Sequence, residues 1–166
     1  MLIILAGLRG VGKTTIAREL ARSLIAVHVH LDSVEQAIRQ SAAHSELPMD
    51  DAGYLVGYAV ADGNLRLGHT VIADSVNPWP LTRDAWVAIA GRVGVRYVEV
   101  EIVCSDAFEH QSRVASREAD PPGMKPPTWQ QVVAFDYRHW NRDRMVVDTA
   151  RRTVSECVAE IVTAIP

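Results

Sequence analysis

Gly7, Gly12, Lys13 and Thr14 stand in the spacing G-x-x-x-x-G-K-T, and that spacing suits a phosphate cradle. Glycine lets the backbone take conformations that a Cβ would block, so several N–H groups can point at one anion. A helix starting near Lys13 adds its positive N-terminal end. The Lys13 ammonium would then reach the β- and γ-phosphates of a nucleotide, and the Thr14 hydroxyl would ligate Mg²⁺. The whole run Gly7, Leu8, Arg9, Gly10, Val11, Gly12, Lys13, Thr14 and Thr15 is expected to wrap the phosphates. A glycine-rich turn that binds nothing is the competing reading. The flanks argue against it, because the cradle needs a buried strand before it and a helix after it. Leu2–Ala6 is an unbroken apolar run. Thr15–Leu24 carries Ile16, Leu20 and Leu24 at helical spacing.

Two acids stand where further chemistry would be needed. Asp32, in HVHLDSV, follows a second apolar run and could accept the proton of an attacking hydroxyl; it could equally cap the next helix, with Ser33 competing for that role. Asp74, in VIADSVNPWP, ends a third run and would hold Mg²⁺ through water, or form a turn before Asn77–Pro78. Asn77 and Trp79 share that rim, and Trp79 either stacks on a planar acceptor or covers the core edge. Asp32, Tyr54 and Trp79 would bound the acceptor cleft. Arg113 and Arg117 stand four apart, on one face of a helix leading into ADPPGMKPP. One guanidinium can stack on a base while the other holds transferring phosphate oxygens; alternatively, both belong to a solvated face with Glu109 and Glu118. His28 and His30 are read as strand-packing residues, and His69, His110 and His139 show no paired spacing. Cys104 and Cys157 fit no metal or redox motif and read as small hydrophobes.

The elements that must position these residues follow from periodicity. Strands are expected at Leu2–Ala6, Ile25–Leu31, Thr70–Asp74, Arg96–Cys104 and Met145–Val147. Helices are expected from near Lys13 to Leu24, and at Ser33–Ala43, Asp50–Leu67 (ended by Gly68) and Thr82–Val93. A helix capped by Ser105 should run to Glu118, and one capped by Thr128, with Gln131 completing a capping box, to Trp140. A second box, Thr153 with Glu156, opens a final helix to Ile165. The four prolines of Ala119–Pro127 make a loop of lid length. Apolar strands alternating with helices imply an α/β domain with a parallel sheet covered on both faces, and ligands at the strand C-termini. At 166 residues, residues 1–166 are expected to form one domain, with a small lid at about 113–127.

Together these residues resemble the small P-loop kinases of the nucleoside-monophosphate-kinase-like superfamily. The gluconate-, shikimate- and adenylylsulfate-kinase-like proteins, the chloramphenicol phosphotransferases and the zeta-toxin-like kinases are nearest in style, and many such chains are described simply as AAA-family ATP-binding proteins. The specific part is GLRGVGKTT; Asp32, the R-x-x-x-R of Arg113 and Arg117, and VDTARRTVSE support it. The resemblance implies a three-layer P-loop NTPase fold with strand order 2-3-1-4-5 and a lid over ATP. It implies a base in the position of Asp32, with Lys13 and Arg117 as catalytic partners. It also implies an adenine pocket from Arg113 and the loop Thr149–Arg152, including Thr149 and Arg152 themselves. The segment between the second and third strands departs from the pattern, since it lacks the arginine set of a shikimate or nucleotide acceptor site. The acid of Asp74 has no glutamate after it, which disfavours ATP-driven mechanical work.

The function expected is therefore transfer of the γ-phosphoryl of ATP, with Mg²⁺, to a hydroxyl of a small molecule. A nucleotide-binding regulatory module with slow hydrolysis and a kinase acting on nucleic-acid ends are the alternatives. A formal net charge of −3 and the lack of a basic run argue against nucleic acid or a membrane surface as partner. A cytoplasmic monomer or homodimer is the expected setting, since no apolar run approaches the ~18 residues of a membrane span.

Overall fold

The computed structural model describes residues 1–41 and 51–165. In chain order it holds β1 (Leu2–Ala6), α1 (Lys13–Leu24), β2 (Val27–His30), α2 (Leu31–Gln40), α3 (Ala52–Arg66), β3 (Val71–Asp74) and α4 (Pro80–Val93). β4 (Tyr97–Val103), α5 (Ala107–Ala115), α6 (Trp129–Val133), β5 (Met145–Asp148) and α7 (Val154–Ala164) follow. The five strands form one parallel sheet in the order β2-β3-β1-β4-β5, the order the resemblance implied. β1 lies at the centre, and all five of its residues are sealed from solvent. Side chains alternate across a strand, so β1 feeds two cores. Ile3 and Leu5 pack with Ile16 and Leu20 of α1 and Cys157 and Ile161 of α7. Leu2 and Ile4 pack with Ala61 and Leu65 of α3 and Trp86 and Ile89 of α4. Burial of each such leucine or isoleucine side chain contributes about 1.5–3 kcal/mol. Among the described residues, no helix is long and apolar enough to cross a membrane.

Both expected capping boxes are present, Thr128 with Gln131 and Thr153 with Glu156, and Gly68 follows α3 at φ 86°. Several boundaries differ from expectation. Ile25 does not begin β2; it closes α1 in the left-handed region at φ 49°. Leu31 and Asp32 already belong to α2. The expected ends at Ala43 and Asp50 lie outside the described residues. Asp106, not Ser105, caps α5, its carboxylate accepting from the N–H groups of Phe108 and Glu109. That helix stops at Ala115 rather than Glu118, so Arg117 stands beyond it.

The largest correction is α6, which ends at Val133 rather than running to Trp140. Arg83 packs against the irregular segment that follows. Its side chain is fully buried, and its guanidinium donates to the carbonyls of Pro78 (3.0 Å), Arg138 (2.8 Å) and His139 (3.4 Å) while lying 4.1 Å above the Trp140 ring. A buried cation needs acceptors, and the irregular backbone at 138–139 supplies two of them. Beyond the clamp, Arg142 and Arg144 reach the buried Glu99 and Glu101 of β4. The polar residues of β4 are thereby satisfied, and β5 is brought alongside it.

Candidate active site

The turn from β1 into α1 is built around three glycines with positive φ: Gly7 at 134°, Gly10 at 87° and Gly12 at 100°. A Cβ at Gly7 would lie 2.1 Å from the Ile102 carbonyl oxygen, and one at Gly10 would lie 2.5 Å from the Val114 side chain. These positions are therefore closed to other residues by contact as well as by dihedral. The loop is held from outside. Gly7 N–H donates to the Val76 carbonyl (3.1 Å), Thr149 Oγ1 donates to the Val11 carbonyl (2.9 Å), and His110 Nε2 donates to the Arg9 carbonyl (2.8 Å). Lys13 is buried, its Nζ 2.9 Å from the Leu8 carbonyl. Burial brings its pKa down to about 8, despite the opposing charges of Asp74 and Asp32.

Asp74 ends β3 and is 2% exposed. His28 Nε2 donates to its Oδ2 at 3.0 Å, and His30 Nε2 lies 3.9 Å from the same oxygen. The two imidazoles stack with centroids 5.6 Å apart, and His30 Nε2 is 3.5 Å from Thr14 Oγ1. Burial alone would push the Asp74 carboxyl up; the His28 hydrogen bond and the charges of Lys13 and His30 outweigh it and hold it below the usual carboxylate range. The histidines, expected only to pack, thus orient the acid. Their alternation along β2 was visible, but the cross-strand partner was not. Thr14 and Asp74 offer a hydroxyl and a carboxylate, the hard oxygen donors that suit Mg²⁺ alongside nucleotide phosphates. The two residues fit that ion.

Asp32 lies in the first turn of α2 with no capping bond; the cap position is His30. The carboxylate pairs instead with Arg9, Oδ1 to Nη2 at 3.3 Å. The Arg9 Nη1 also approaches Met124 Sδ at 3.8 Å, in the proline-rich loop. The other residues expected around an acceptor have hydrogen-bond partners of their own. Asn77 is fully buried, with φ 47°. Its Nδ2 donates to the Leu5 carbonyl (2.7 Å), its Oδ1 accepts from Trp86 Nε1 (3.0 Å), and its N–H donates to Tyr54 Oη (3.2 Å). It is a structural junction and offers nothing to a ligand, and Tyr54 is tied to it. Trp79 precedes α4 as its cap residue and donates to Asp136 at 3.2 Å. None of Asp32, Tyr54 and Trp79 lines either of the two cavities described below.

A cavity of about 700 Å³ opens over the glycine loop. It is lined by Gly10, Gly12, Lys13 and Thr14 from the loop and α1, and by Arg113, Thr149, Arg152 and Cys157. Arg113 is fixed by Thr149 Oγ1 (2.7 Å), the Thr149 carbonyl (3.0 Å) and Glu109 (2.5 Å). Arg152 is fixed by the Asp148 carbonyl and Glu160. Although Arg117 has left the helix, it lines the same cavity with the first half of the proline loop. Asp120 of that loop pairs with Arg18 of α1 at 2.9 Å. A second cavity, of about 370 Å³, lies beyond Leu8 and Arg9 against the other half of the loop. Among the described residues, no set of three or more His, Cys, Asp or Glu forms a metal-binding group.

Comparison with known proteins agrees with this geometry. The chain is similar in structure to the APS kinase of Mycobacterium tuberculosis in complex with AMPPNP and APS, at 17% identity and a TM-score of 0.71, over 98% of this chain and 95% of that one. Kti12 of Chaetomium thermophilum in complex with ADP-AlF3 gives 19% identity and a TM-score of 0.71 over 100% of both chains. A gluconokinase from Sinorhizobium meliloti gives 18% identity and a TM-score of 0.62, over 97% of this chain and 89% of that one. At these identities the likeness is one of fold. A comparison with curated proteins gives no match. A family model described as an AAA domain matches residues 2–135, and the chain belongs to that family.

Proposed function

We propose that this protein transfers the γ-phosphoryl group of ATP to a hydroxyl of a small molecule. The observation that carries this reading is Asp32, an acid free of capping duty beside the loop residues that separate the two cavities. The 700 Å³ cavity would take ATP, with its phosphates against the loop N–H groups and Lys13, and its base towards Arg113 and Arg152. The acceptor would enter from the opposite side of Leu8–Gly10. Its hydroxyl oxygen bonds to the γ-phosphorus as the bond from that phosphorus to the β,γ-bridging oxygen breaks. ADP leaves, and the hydroxyl proton passes to the Asp32 carboxylate. Lys13 and Arg117 would stabilise charge on the phosphoryl oxygens. Thr14 and Asp74 would hold Mg²⁺, which supplies further charge neutralisation when bound.

The test is ADP release in the presence of sugars, nucleosides and alcohols. Stimulation by at least one class supports the reading, and none by any class counts against it. The Arg9–Asp32 ion pair favours a second reading, a nucleotide-binding module with slow hydrolysis, because it engages the carboxylate that a base must keep free. A structure with a non-hydrolysable ATP analogue separates the two by whether Asp32 turns from Arg9 towards the γ-phosphate.

A further inference from the structure

The second cavity identifies the kind of acceptor. Its walls are apolar: Leu8 from the glycine loop, Val76 beyond β3, Pro126 and Pro127 from the proline-rich loop, Val132 of α6 and Phe135 just after it. Its volume, about 370 Å³, lies towards the lower end of the range of roughly 300–1,000 Å³ typical of ligand sites. Of the polar residues around it, Thr128, Gln131 and Arg9 are already engaged. Thr128 and Gln131 are joined by their capping box, Arg9 is paired with Asp32, and Lys125 is exposed. Arg9 lines the cavity from the glycine loop, and its guanidinium carries the Asp32 carboxylate 3.3 Å behind it. A molecule carrying many hydroxyls would lose water from them here without finding partners.

We propose that the acceptor is a hydroxyl-bearing molecule with an apolar, preferably aromatic, body, seated in this cavity with its hydroxyl at the Arg9–Asp32 end. This rests on the phosphotransferase reading for its chemistry and on the cavity for its class. The same loop gives the arrangement an order. Ala119, Asp120 and Pro122 border the nucleotide cavity, Lys125–Thr128 border the acceptor cavity, and the largely buried Met124 lies between, against Arg9. A nucleotide that settles the first half of the loop thereby positions the second half as an acceptor wall.

The test uses the full chain with AMPPNP, measuring binding of phenylpropanol, benzyl alcohol, gluconate and xylitol by calorimetry, and ADP release from ATP with the same four compounds. The aromatic alcohols should bind the AMPPNP complex and stimulate ADP release, and the two polyols should do neither. Phe135 is 44% exposed, so Phe135→Ala and Phe135→Asp should fold, and unchanged AMPPNP affinity verifies this. Both should weaken aromatic-alcohol binding, Phe135→Ala by roughly tenfold. If gluconate or xylitol stimulates ADP release and the aromatic alcohols do not, the acceptor class is overturned while the phosphotransferase reading stands. If the aromatic alcohols bind in a Phe135-dependent way and no compound releases ADP, the cavity assignment stands and the phosphotransferase reading fails. If neither aromatic alcohol binds, or if binding ignores both Phe135 variants, the proposal is wrong.

Discussion

Replacing Lys13 with methionine should make the ligand-free protein more stable while removing its hold on ATP. In water a lysine titrates at 10.5; burial in this loop lowers Lys13 to about 8. At about 1.4 kcal/mol per pH unit, that difference is about 3 kcal/mol of unfavourable charge burial at neutral pH. Methionine has no charge to bury. It forfeits the hydrogen bond to the Leu8 carbonyl, worth about 1 kcal/mol, which leaves a net gain of about 2 kcal/mol. For a domain of this size the melting temperature should rise by about 4–8 °C. The sign follows from proton counting. Below pH 8 the lysine is charged in both folded and unfolded chains, so the full cost is present. Between 8 and 10.5 the unfolded chain holds the proton that the folded chain has lost, and wild-type stability rises with pH. The gap between variant and wild type should therefore be constant below pH 8 and shrink towards pH 10.5. Calorimetric melting at pH 7 and pH 10 without nucleotide measures it. Adding AMPPNP should raise the wild-type melting temperature alone. A Lys13→Met protein no more stable than wild type at pH 7 would refute the reasoning, because it would mean that the lysine is not strained by the absence of phosphate.

Asp32→Asn keeps the size of the residue and removes the proton acceptor, so turnover with a productive acceptor should fall by ~10²–10⁴ with ATP affinity nearly unchanged; a loss of melting temperature without a kinetic effect would make Asp32 structural. Hydrogen exchange across residues 113–127 should slow when AMPPNP binds, and Arg117→Ala should lower kcat more than it weakens ATP binding. Equal protection with and without AMPPNP would leave the loop a static connector, its pairing with Arg18 worth at most about 1 kcal/mol at that exposed position. Gly7→Ala should cost about 3 kcal/mol or more in urea unfolding, because the new methyl meets the Ile102 carbonyl and the dihedral disfavours it.

What could be read from the chain was local. The glycine spacing, the apolar strand of Leu2–Ala6 and the two capping boxes each lie within a few residues of their partners, so side-chain type and spacing suffice to place them. What escaped depends on distant pairs. Asp74 was legible as an acid at a strand tip, yet the donor that orients it, His28, comes from the neighbouring strand. α6 looked helical to Trp140, but the backbone after Val133 is irregular, and its carbonyls at 138 and 139 accept from Arg83, far earlier in the chain. Asn77 looked like a rim residue because asparagine before proline favours turns; only the fold shows the turn folded inward onto Leu5 and Trp86. The second cavity draws its walls from the glycine loop, the turn after β3, the proline loop and α6, and no window of sequence contains all four.

The Asn77 junction also determines how the molecule spends conformational entropy. Through it the end of β1, the turn after β3 and the start of α4 are joined by hydrogen bonds that do not depend on any ligand. The Gly7 N–H bond to Val76 completes the connection within one residue of Asn77. The glycine loop and the turn that follows Asp74 are therefore tied to each other by the fold itself. A bound triphosphate would meet a wall already in its final shape, and the ordering cost of association would fall on the ligand and the proline loop. Affinity changes produced by mutations in the junction should then appear as lost preorganisation: a less favourable binding entropy with the same phosphate contacts.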